Sequence, residues 1–201
     1  MEEGVYRTLA KANEETLFTE KGSKFLGYAF PVATEEEIKE KLEELWSQHA
    51  KATHICYAWQ LGANYESYRA NDDGEPSNSA GMPIYGQIQS FELTNVLVAS
   101  VRYYGGTKLG VGGLITAYKN SAKLALEASH IIIKEVTAQV KLSFGYDKLS
   151  VVERLIEQNQ LEVIDRKMEM NCDFVLEYPI KDEVKIKDIF NGLYGVDADF
   201  N

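Results

Sequence analysis

Residues 95–104, NVLVASVRYY, are close to continuously apolar, the mark of a strand buried on both faces. That strand runs directly into RYYGGTKLGVGGL (102–114), which packs five glycines and two cations into a short span and contains no acid. LITAYKNSAKLALEA (114–128) follows as a helix, with Ala117, Ser121 and Ala125 forming a small-residue face for close packing. The order is buried strand, glycine-rich turn, helix. From Leu93 to Leu126 there is no aspartate or glutamate, although the whole chain carries a formal net charge of −10. That charge argues against a bulk-charge binder of nucleic acid or membrane, but a local reversal of this kind points to a site.

Glycines permit positive φ and close approach to the backbone. A helix start offers unpaired N–H groups and the positive end of a dipole. Arg102 and Lys108 at the strand exit would add charge-assisted bonds. The window therefore suits a phosphate or carboxylate. The other explanation, that the glycines only let strand and helix pack tightly, stays open. No G-x-x-x-x-G-K-[ST] string can be read through the window, and Ile115 stands where a dinucleotide fingerprint needs its third glycine. No nucleotide or other cofactor is implied.

Upstream, TLFTE (16–20) and KFLGYAFPV (24–32) read as strands joined at Lys21-Gly22-Ser23. TEEEIKEKLEELWSQHA is a helix, with Thr34 and Glu37 forming a capping box and Ile38, Leu42, Leu45 and His49 on one face. THICYAWQLG (53–62) and YESYRA (65–70) form a strand pair across Gly62-Ala63-Asn64, and a helix near 82–91 follows the polar loop NDDGEPSNSAG (71–81). That loop gathers Asp72, Asp73 and Glu75. It fails EF-hand spacing because glycine arrives at 74. A hydrolase triad of His54, Asp73 and Ser77 lacks a G-x-S-x-G elbow. A turn at Asp73-Gly74 and a cap for the next helix account for the loop more simply. His54 on an apolar strand reads as a hydrogen-bonded core residue.

After about residue 136 the order becomes strand, helix, strand, strand, helix, with VDADF as a possible final edge strand, the ferredoxin-like pattern. Cys56 and Cys172 are far apart and outside any C-x-x-C spacing, so they read as two reduced, buried thiols. The N-terminal residues lack a signal-peptide pattern and no apolar run approaches a membrane span, so a cytoplasmic location with no membrane partner is expected.

KGSKF (21–25), ATHICYAW (52–59), DDGEPSNSAGMPI (72–84) and RYYGGTKLGVGGLITAY (102–118) together resemble the successive signature blocks of the YigZ/IMPACT family. The resemblance implies an α+β protein. Its N-terminal two-layer domain (1–135) would be like domain 2 of the small-subunit ribosomal protein five, and its C-terminal domain (136–201) ferredoxin-like, βαββα. It implies no settled activity for the bacterial members and a translation regulator for the eukaryotic one. The positions it marks are Lys21, Lys24, His54, Asp72, Asp73, Gly74, Glu75, Pro76, Ser77, Arg102, Gly105, Gly106, Lys108, Gly110, Gly112 and Gly113. Here Asn78-Ser79 replaces the family's usual glycine-threonine, and Met82 and Thr116 stand where members often carry a basic residue. The resulting expectation is a binding protein that docks RNA, the ribosome or a translation-factor surface through the glycine-rich basic loop. A protein–protein adaptor and a hydrolase using His54 with the Asp-Asp-Gly-Glu loop are the alternatives. No metal and no sequence-specific DNA binding are expected.

Overall fold

The computed structural model describes residues 4–200, so the outer limits 1 and 201 of the two expected domains lie outside the described residues. Two compact units emerge: Tyr6–Lys134, and the chain from Glu135 onward together with Gly4 and Val5.

The first part of the chain runs β1 (Val5–Leu9), β2 (Thr16–Glu20), β3 (Ser23–Pro31), α1 (Glu35–Gln48), β4 (His54–Leu61), β5 (Ser67–Asn71), α2 (Gly81–Ser90), β6 (Val96–Tyr103), α3 (Gly110–Glu127) and β7 (Ile131–Glu135). Five strands form an antiparallel sheet in the order β2-β3-β6-β4-β5. The apolar run of β6 lies at its centre, buried from Val96 to Arg102.

One face of the sheet presents Phe25, Ala29, Cys56, Ala58, Val96 and Val98 to Ile84 and Ile88 of α2 and to Leu114 and Tyr118 of α3. The other face carries Tyr28, Ile55, Ala99 and Val101 against Leu45 of α1, with Ile38 beside Trp59 and Leu97. A third layer, α1, thus covers the second face, which is why β6 has no polar side. Each such large side chain contributes about 1.5–3 kcal/mol by leaving water. The small-residue face of α3 has a specific use: a Cβ on Gly27 would meet the Ser121 carbonyl oxygen at 2.6 Å, and Ser100 Oγ donates to Ser121 Oγ at 2.8 Å.

Thr34 caps α1 by accepting from the Glu37 N–H, and the Glu37 carboxylate accepts in turn from the Ala33 N–H. His49 ends that helix between two phenols, Nε2 at 2.7 Å from the Tyr28 hydroxyl and Nδ1 at 2.9 Å from that of Tyr103. The helix expected from residue 114 begins four residues earlier, at Gly110. Glycine is a poor helix former, so propensity hid the first turn. The pair β1 and β7 forms a separate two-stranded sheet that the sequence reading did not anticipate.

The second unit contains β8 (Thr137–Phe144), α4 (Leu149–Gln158), β9 (Glu162–Met168), β10 (Cys172–Pro179), α5 (Glu183–Asn191) and β11 (Val196–Phe200). Its antiparallel sheet has the order β11-β8-β10-β9, the ferredoxin-like arrangement with VDADF as an edge strand. Val140, Leu142, Phe174 and Leu176 from the sheet pack on Val152, Ile186 and Phe190 from the helices. Cys56 and Cys172 are both buried and free. No helix among the described residues is long and apolar enough to cross a membrane.

Candidate functional site

The antiparallel pairing of β6 with both β3 and β4 brings the exit of β6 beside the starts of the other two. Arg102 lies opposite Phe25 on one side and His54 on the other. Tyr57 of β4 pairs with Asn71 of β5, so the polar loop that leaves β5 emerges at the same end of the sheet. Four segments separated in sequence therefore meet at one place.

At their centre is a buried ion pair. Arg102 Nη1 donates to Glu75 Oε1 at 2.5 Å, and the two side chains are only 7% and 5% exposed. The Tyr118 hydroxyl donates to the same carboxylate oxygen at 2.7 Å. The Arg102 guanidinium carbon stands 5.5 Å from the ring centroids of Phe25 and of Tyr104, within cation–π range. The Ser23 hydroxyl accepts from the Gly105 N–H at 3.2 Å and lies 3.5 Å from Arg102 Nη2. Arg102 was expected to reach outward to an anion. Instead its charge is matched internally, because a desolvated guanidinium at the core edge requires a carboxylate partner.

The acidic loop is held inward by its own side chains. Asp72 accepts from the N–H groups of Asn78, Ala80 and Gly81 at 2.8–2.9 Å, capping α2 from eight residues upstream. Asp73 accepts from the Ile55 N–H at 2.7 Å, and its carbonyl accepts from His54 Nδ1 at 2.6 Å. A carbonyl can only accept, so His54 Nδ1 is the donor in this bond. Asp73 and Gly74 both adopt positive φ, +44° and +86°, which makes the turn. The three carboxylates of the hydrolase alternative thus face three different partners. Among the described residues no cluster of histidine, cysteine and acid suited to a metal is formed.

Cys56 donates to the Asp72 carbonyl at 3.0 Å, and burial pushes its thiol far above the ordinary range. Burial raises the Tyr118 phenol further still, aided by Cys56 and Glu75. Both groups are neutral and structural here.

The glycines divide by role. Gly105 packs: a Cβ there would stand 1.9 Å from the carbonyl carbon of Gly22 in the β2–β3 turn. Gly106 and Gly110 have φ of +87° and +70°, while Gly113 is crowded only by the Leu109 Cβ at 3.0 Å. Gly112 has neither positive φ nor a neighbour within 4 Å of a Cβ. The helix start it belongs to has no side-chain cap and no acid in its first turn.

Beside the ion pair this leaves a cleft of about 440 Å³ lined by Glu75 and Pro76, by Arg102, Tyr104 and Lys108, and by the first residues of α3. Lys108 is exposed. Tyr104, 47% exposed, also walls a second groove with Lys24, Tyr103 and Leu17. Lys21, the first residue of the two-residue β2–β3 turn, is exposed with φ of +46°. Ser77 is exposed on the acidic loop. Ser23 and Tyr118 were not singled out by sequence reasoning. The available signal was their place inside the KGSKF and RYYGG…ITAY blocks.

Residues 21–126 match the family described as the Impact N-terminal domain. The chain is 33% identical over 169 residues to the IMPACT family member YvyE of Bacillus subtilis, covering 84% of this chain and 77% of that one. It is 33% identical over 132 residues to the IMPACT family member YigZ of Escherichia coli, 65% of each chain. A crystal structure of a hypothetical protein superposes with a TM-score of 0.77 at 25% identity, covering 97% of this chain and 96% of the other.

Proposed function

The chain belongs to the Impact N-terminal domain family, and from that premise we propose that it works in translational control as a docking module. The group it receives is an acidic one on a component of the translation machinery, RNA or protein, and the setting is the cytoplasm. The resemblance carried by the four signature blocks supports the translational context, since it implies a translation regulator for the eukaryotic member.

The observation that carries the docking reading is the cleft. Lys108 and an uncapped helix N-terminus meet there, beside an ion pair that holds the acidic loop against the glycine-rich one. Tyr104 extends that surface toward Lys24. The hydrolase alternative loses its support, because Asp72, Asp73 and Glu75 are each committed to a separate structural bond.

The test is co-sedimentation of the purified protein with ribosomes and with bulk RNA across a salt series, wild type against Lys108→Glu. Salt-sensitive binding that the variant loses is the expected result. Engagement of about three phosphates of a single strand by Lys21, Lys24 and Lys108 gives a log–log slope near −2. Absence of binding by either form overturns docking on ribosomes and RNA.

A further inference from the structure

We propose that the cleft between the acidic loop and α3 binds a short extended peptide segment in which an acidic side chain stands next to a bulky apolar one. The inference rests on the docking reading, whose site it shares, and names the chemistry recognised there.

The cleft has two halves. Its walls are apolar, from Pro76, Tyr104, Leu109, Val111 and Leu114. A volume of about 440 Å³ falls within the roughly 300–1,000 Å³ of clefts that enclose small ligands. Its remaining edge is electropositive: Lys108 borders it, and Gly110 and Val111 begin a helix whose first N–H groups have no side-chain cap and no acid nearby. Those N–H groups have no partner within the helix and favour an anion.

The Arg102 side chain lines the cleft, with its charge taken up by Glu75 and its unpartnered Nε–H enclosed by protein. The backbone of the helix start, by contrast, is open. At Gly110 and Gly112 a Cβ would meet nothing within 4 Å, so crowding does not require glycine at either place. At Gly112 the backbone is also ordinary, and glycine there weakens a helix. Glycine there leaves the backbone of the helix's first turn uncovered, next to the cleft-lining Gly110 and Val111.

Charge decides the class of partner. Arg102 and Glu75 cancel one another, which leaves Lys108 as the uncompensated cation in the lining. One lysine and one helix start match one carboxylate. A nucleic-acid strand brings a phosphate with every nucleotide, against a chain of net charge −10. The apolar walls then take the neighbouring side chain of a peptide, with its acid held at Lys108 and α3.

The experiment is an NMR titration of the ¹⁵N-labelled full chain. The probe is the capped hexapeptide Gly-Ser-Asp-Phe-Gly-Ser, with versions carrying asparagine for the aspartate or alanine for the phenylalanine. Hexauridylate is the competing probe. The amides of residues 110–113 are expected to shift with the Asp-Phe peptide. Each altered peptide should weaken binding about tenfold or more, as should Lys108→Glu and Val111→Asp, both at exposed positions. Equal binding of the altered peptides, unmoved amides, or tighter binding of hexauridylate at the same amides each overturns the inference. Ribosome binding lost in Lys108→Glu without any response to peptide removes this inference and leaves docking intact. Peptide binding without ribosome or RNA binding does the reverse.

Discussion

Gly22 and Gly105 meet backbone to backbone, with room for no side chain on Gly105: its Cβ would lie 1.9 Å from the Gly22 carbonyl carbon and 2.2 Å from the Ser23 nitrogen. The contact sets the β2–β3 turn against the exit of β6. It also places the Ser23 hydroxyl where the Gly105 N–H reaches it, beside the Arg102 guanidinium.

Two glycine substitutions in this window should therefore act with opposite sign. Gly105→Ala forces backbone apart and should cost about 2 kcal/mol or more, the scale of overpacking. Gly112→Ala adds a methyl to open space in the first turn of α3 and should stabilise by up to about 1 kcal/mol. Urea unfolding of both variants checks the contrast, and equal effects would contradict the division of roles.

Glu75→Gln strands Arg102 without a countercharge. A loss of roughly 3–5 kcal/mol is expected. Replacing both partners, Glu75→Gln with Arg102→Met, should recover much of that loss, because no buried charge remains. A double variant as unstable as the single one would argue against the pair as the source.

Asp72→Ala removes the acceptor for three N–H groups at the start of α2. The expected cost is about 1–3 kcal/mol, between the loss of a cap and the loss of a buried hydrogen bond. Ser77→Ala, at an exposed position of the same loop, should stay within about 0.5 kcal/mol. Thermal unfolding of the two side by side tests whether the loop is held by Asp72.

Alkaline pH should weaken the fold. Burial raises the Cys56 thiol and Tyr118 phenol above their ordinary values of 9.0 and 10.0. Both are neutral when protonated, so above those values the unfolded chain releases protons that the folded chain keeps. Fewer protons bound in the unfolded state means stability falls as pH rises. The urea midpoint should hold steady up to about pH 8 and fall from about pH 9 upward. Tyr118→Phe should make that fall shallower.

Much of this architecture was legible because its signals are local. The capping box at Thr34 and Glu37, the apolar run of β6 and the βαββαβ order of the second unit all announce themselves within a few residues. The small face of Ala117, Ser121 and Ala125 likewise predicted the close approach that Gly27 completes. What escaped was non-local or masked. β1 and β7 pair across more than a hundred residues. The first turn of α3 hid behind glycines. The partner of Arg102 could not be read from the basic window, since Glu75 lies 27 residues away in a loop whose acids suggested chemistry. The question of whether the glycines serve packing or a cradle has a split answer, Gly105 serving the first and Gly112 compatible with the second.

The network that joins Ser23, Glu75, Arg102 and Tyr118 has a consequence for how such a chain can diverge. Four residues on four separate segments share one set of hydrogen bonds, and loss of either charged member leaves the other as an unmet charge in the interior. Glu75 and Arg102 are therefore expected to change together rather than one at a time. The acidic loop and β6 are coupled through that pair, and grafting the loop into another scaffold would require carrying Arg102 with it.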